Sequence, residues 1–75
     1  MESFIGLDAH SKTCTFVNVD KNGLELDKYV VATSEKNILQ VIRSVKGIKN
    51  LVFEEGNIAQ WLYLLLRKEV DNLVV

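Results

Sequence analysis

Apolar positions along this chain recur first with the alternation of strands and later with the three-to-four spacing of a helix. Residues 3–9, Ser-Phe-Ile-Gly-Leu-Asp-Ala, are an apolar run with a glycine inside. The run breaks at the polar stretch Asp8 to Lys12 and reads as a first strand. Residues 12–19, rich in Thr and Val, read as a second. Asp20-Lys21-Asn22-Gly23 is a hairpin turn, because Asn and Gly tolerate the positive φ that tight turns require. A third strand runs from about Leu24 to Ala32. Three strands with such short connections form an antiparallel meander.

The period then changes. Thr33 or Ser34 can cap a helix, with Glu35 in its first turn, where a negative charge suits the helix dipole. Ile38, Val41, Ile42 and Val45 share one helical face, and Gly47 is suited to end the element. Residues 50–54 form a compact apolar strand. Gly56-Asn57 can open a second helix with the face Ile58, Trp61, Leu62 and Leu65, and Leu66 at its margin. Residues 71–75 begin a fifth strand. The expected class is α/β, a mixed sheet with the element order βββαβαβ. If strands three, four and five are parallel and both crossovers step the same way, right-handed connections put both helices on one face. The other face is then uncovered, which suggests an incomplete domain or a dimer.

A chain of 75 residues supports one domain, residues 1–75, with a marginal core, since folding at this size hides only about 60% of the unfolded surface. With one cysteine, Cys14, and one histidine, His10, neither an internal disulfide nor a Cys/His zinc cage can form. That composition suits a reduced, cytoplasmic protein. The formal charge is −1, with nine Lys and Arg scattered among ten acids, so no basic stripe marks a nucleic-acid grip. The N-terminus lacks a positive start before a long apolar run, and the longest apolar stretch, Trp61 to Leu66, is far too short to span a bilayer.

Two acidic positions fall where strands end: Asp8 after strand one, and Glu54 with Glu55 after strand four. If these strands are parallel neighbours, the carboxylates emerge at the same C-terminal edge, where α/β sheets hold ligands. Oxygen donors there suit Mg²⁺ or Mn²⁺, ions that need one or two protein carboxylates beside water and phosphate. Such ions serve phosphodiester cleavage and strand transfer. Successive strand residues point to opposite faces, so Glu54 and Glu55 cannot both join Asp8 without a bulge, and periodicity does not choose between them. The bland reading is that acids at strand ends cap the next turn. His10 could contact a phosphate or orient a metal-bound water but reads better as a surface-turn residue. Lys12 could meet nucleic acid but reads as solvated, and Cys14 reads as a small buried side chain. Trp61 and Tyr63 could stack on bases, but an apolar helix assigns them to the core.

Phe4-Ile5-Gly6-Leu7-Asp8-Ala9-His10-Ser11-Lys12-Thr13 resembles the opening of the RuvC-like, RNase H-like domain of DEDD-type insertion-sequence transposases. Thr13-Cys14-Thr15-Phe16 and Asp20-Lys21-Asn22-Gly23 continue the likeness. Val52-Phe53-Glu54-Glu55-Gly56 and Trp61-Leu62-Tyr63 resemble the segment around the second catalytic acid and the helix behind it. The resemblance covers essentially the whole chain. It implies that Asp8 is the first catalytic, metal-binding acid and Glu54 the second, with Glu55 as the fallback. Many members read Glu-Ala-Thr-Gly where this chain has Glu54-Glu55-Gly56-Asn57. The family's two remaining Asp and a downstream serine would fall beyond position 75, and Asp71, which precedes a strand, is no substitute.

The resemblance thus implies the N-terminal, C-terminally incomplete part of a DNA transposase or recombinase. The parent would act with Mg²⁺ or Mn²⁺ on DNA, with a guide RNA as a further partner, and the 75-residue piece alone would be inactive. The rival reading is a non-catalytic module or gene remnant that forms a homodimer through the uncovered sheet face. A sugar-kinase or actin-like ATPase fragment would place a Gly-rich phosphate loop in the first hairpin, where Asp8-Ala9-His10-Ser11-Lys12 has no glycine.

Overall fold

A computed structural model describes residues 2–53 and 58–74 of the protein. Its elements run β1 (Glu2–Ala9), β2 (Thr13–Val19), β3 (Glu25–Ala32), α1 (Glu35–Ser44), β4 (Ile48–Phe53), α2 (Ala59–Leu66) and β5 (Asn72–Val74). The βββαβαβ order is therefore the one the patterning predicts. The five strands form one mixed sheet in the order β3-β2-β1-β4-β5. β1 pairs antiparallel with β2 and parallel with β4, and β4 pairs parallel with β5.

The meander is closed by local chemistry. Asp20 Oδ1 accepts the backbone N–H groups of Asn22 (2.8 Å) and Leu24 (3.0 Å). The Gly23 N–H donates to the Asp20 carbonyl, and Gly23 alone in this turn takes a positive φ, 83°. Ser34, not Thr33, caps α1: its Oγ accepts the Asn37 N–H at 3.1 Å. The helix stops at Ser44, and Gly47, at φ 85°, serves the turn into β4 instead of the helix end itself.

Both crossovers step in the same direction along the sheet, from β3 over β2 and β1 to β4, and on to β5. Right-handed connections of that kind leave both helices on one side. Ile38, Val41, Ile42 and Val45 of the α1 segment and Leu62 and Leu66 of α2 join Ile5, Leu7, Cys14, Phe16, Leu51 and Phe53 in a single core. The strand members all come from one face of the sheet, as the strict alternation in β1 and β2 requires. No helix among the described residues is long and apolar enough to cross a membrane.

The opposite face is open. On it Val30, Ile48, Val52 and Val74 each keep half or more of their surface in solvent. A polar ladder also crosses that face, from Glu2 Oε2 to Asn50 Nδ2 (3.0 Å) and from Asn50 Oδ1 to Asn72 Nδ2 (2.7 Å).

Two expectations are revised. β4 starts at Ile48, earlier than its apolar run suggests, because parallel pairing with β1 begins at Glu2↔Ile48. Trp61 and Tyr63 do not pack in the core; Leu62 and Leu66, one helical turn apart, do, and leave both aromatics exposed. The expected α2 start at Gly56-Asn57 lies outside the described residues.

Candidate functional site

Asp8 is the next-to-last residue of β1, the central strand, and its C-terminal end faces solvent. The last parallel pair between β1 and β4 is Leu7↔Phe53, both buried under the helices. Alternation therefore directs Asp8 to the open face, where its side chain is 73% exposed. Around it Gly6, Thr15, Val17, Lys28 and Val52 line a shallow depression. A Cβ at position 6 would lie 4.0 Å from the Val17 carbonyl oxygen, an ordinary contact, so the glycine widens the depression without being forced there against alanine.

His10 leaves the strand and turns back, with Nε2 3.1 Å from Asp8 Oδ1. It is an exposed turn histidine, as the sequence suggests, but it faces the candidate acid. The loop that carries it is held by Thr33, at the junction of β3 and α1. The Thr33 hydroxyl donates to the His10 carbonyl at 2.6 Å, and the Thr33 N–H donates to the Lys12 carbonyl at 2.9 Å. Cys14 Sγ lies 3.2 Å from the same hydroxyl and is fully buried, in keeping with its reading as a small core side chain. Sequence reasoning missed this function of Thr33. The one local signal was a polar residue before a helix, which reads as a cap.

Lys12 is exposed in the loop and makes no side-chain bond among the described residues. Glu54 and Glu55 lie outside the described residues. Asp71 sits at the other end of the sheet: its Oδ2 accepts the Lys49 N–H at 2.7 Å, and its own N–H donates to the Lys49 carbonyl. Those bonds tie β4 to the start of β5, so Asp71 already has a structural role away from Asp8. Among the described residues no three of His, Cys, Asp and Glu gather as a metal cage.

The donor set that is described, one exposed carboxylate with a neighbouring imidazole, suits a hydrated hard cation better than an all-protein cage. Comparisons of the chain with protein-family models, with curated proteins and with solved structures found no match. The fold and site define an α/β protein with a mixed five-stranded sheet and an acidic residue at the C-terminal end of its central strand.

Proposed function

We propose that the chain supplies the first two acids of an RNase H-like, divalent-metal site of the kind used by DEDD transposases to cut and rejoin DNA. The observation that carries the reading is the parallel pairing of β1 with β4, which brings the C-terminal ends of both strands to one edge. Asp8 stands at that edge, and Glu54 follows Phe53 directly in the chain. Val52 already faces the open side with Gly6, so the two-residue period favours Glu54 over Glu55 as the partner of Asp8. The ordered likeness of residues 4–16, 20–23, 52–56 and 61–63 to that family points the same way.

The chain's own residues would do limited work. Asp8 and Glu54 would hold Mg²⁺ or Mn²⁺, which, when bound, polarises a phosphodiester. His10 would fix the orientation of the Asp8 carboxylate through their 3.1 Å contact. On this reading the family's other two acids would fall beyond position 75, and this chain alone would bind metal weakly and not cleave. Removing members of a co-operating set abolishes most of its effect. DNA, with a guide RNA as a further partner, would on this reading be bound by the parent protein.

The test is Mn²⁺ binding measured by electron paramagnetic resonance on wild type and on Asp8→Asn, Glu54→Gln and Glu55→Gln. Loss of binding in the first two variants, with Glu55→Gln unaffected, supports the site. Absence of binding in wild type, or loss confined to Glu55→Gln, sinks it.

A second reading rests on the open face. The exposed Val30, Ile48, Val52 and Val74 suit a homodimer that covers the sheet, and such a module needs no metal. Sedimentation decides it: a monomer at high concentration excludes this role.

A further inference from the structure

Asp8 has one side-chain partner among the described residues, His10, and His10 belongs to a loop that leaves β1 immediately after the candidate acid. Whatever holds this loop keeps His10 beside the Asp8 carboxylate. Its own hairpin contributes a single bond, from the His10 N–H to the Thr13 carbonyl at 2.9 Å. Two of its three carbonyls, those of His10 and Lys12 at its ends, are both bound from outside by one residue, Thr33.

The direction of these bonds follows from chemistry. A backbone carbonyl only accepts, so the Thr33 hydroxyl proton is committed to His10 at 2.6 Å. The hydroxyl oxygen is then free to accept, and Cys14 Sγ at 3.2 Å must be the donor. The result is a relay from the Cys14 thiol to the Thr33 hydroxyl to the His10 carbonyl, in which each bond polarises the next. Cys14 is anchored between β1 and β3 through its pairs with Ala9 and Val31. Thr33 precedes Ser34, the cap of α1. The relay therefore ties the loop to the interior strand β2 and to the start of α1.

We infer that Thr33 is a positioning residue for the candidate metal site, holding His10 against Asp8 by gripping the loop through the carbonyls of His10 and Lys12. Its importance for metal rests on the reading proposed above, whereas the anchoring itself does not. Thr33→Val keeps the volume and the backbone N–H bond but deletes the hydroxyl. Thr33→Ser keeps the hydroxyl and deletes only a methyl. Thr33→Ala provides a second hydroxyl-free variant should valine crowd the junction.

The readouts are amide hydrogen exchange by NMR and Mn²⁺ affinity. Loss of one net hydrogen bond should speed exchange at the His10 amide by about fivefold in Thr33→Val, with the Phe16 and Leu51 amides unchanged. Mn²⁺ affinity should fall by about tenfold, the usual cost of losing an outer-shell support. Thr33→Ser should restore both. Unchanged His10 exchange in both hydroxyl-free variants, or a serine variant that behaves like them, would overturn the inference. If wild type binds no Mn²⁺, the metal reading fails while the exchange result still decides the anchoring.

Discussion

Ser3 is fully buried on the helix-covered face, and its Oγ has no hydrogen-bond partner among the described residues. A hydroxyl in that state has lost its water without replacement, a penalty of about 1–3 kcal/mol. Ser3→Ala removes the oxygen and leaves a gap smaller than a methyl group, so packing returns only a small part of the gain. The net expectation is a stabilisation of about 1 kcal/mol, which in a domain of this size raises Tm by roughly 4–8 °C. Urea denaturation followed by circular dichroism should show a higher midpoint with an unchanged m value, meaning that stability and not compactness has altered. Destabilisation of about 1 kcal/mol or more would refute the reasoning, because it would show the hydroxyl to be satisfied in solution.

Other outcomes follow from the same structure. Leu51 is fully buried between β1 and β5, so Leu51→Ala should cost about 2–5 kcal/mol, whereas Leu64→Ala, at a half-exposed site, should stay within about 0.5 kcal/mol. Gly23 has φ 83° with open space around its Cβ position, so Gly23→Ala meets backbone strain alone and should cost about 1–2 kcal/mol by urea melts. Arg43 Nε donates to Glu69 Oε1 at 2.7 Å, and this hydrogen bond holds the Glu69 carboxyl below the usual carboxylate range. A depressed folded-state pKa gives stability that is present above the unfolded pKa and lost as pH falls through the folded one. The Tm difference between wild type and Glu69→Gln should accordingly be largest near neutrality and vanish in strong acid.

How much of this could be read from the residues depended on whether the deciding interaction was local. The meander was legible because Thr-Cys-Thr-Phe-Val alternates cleanly and Asp20 to Gly23 carry their own turn chemistry. The face of α1 was legible because Ile38, Val41 and Ile42 stand among polar neighbours. In α2 six apolar residues run consecutively from Trp61 to Leu66, so no period selects the buried side; only packing chose Leu62 and Leu66. The early start of β4 was hidden because Lys49 and Asn50 interrupt its apolar run, and its extension comes from pairing with a strand more than forty residues away. At the site, the placement of Asp8 followed from the strand end, whereas the parallel β1–β4 pair was only a condition that the sequence left open and the sheet fulfils. The grip of Thr33 on the His10 loop did not, since it spans 23 residues and joins two connections.

The central claim is that Asp8 and Glu54 form one cation site at the C-terminal edge of β1 and β4. The most direct measurement is paramagnetic broadening of amide signals during titration with substoichiometric Mn²⁺. The account predicts that the signals of Leu7 to Ala9, Phe53 and Glu54 vanish first, while those of Lys49 and Asp71 at the opposite edge remain sharp. Broadening centred on Asp71, or spread evenly over the surface acids, would contradict it.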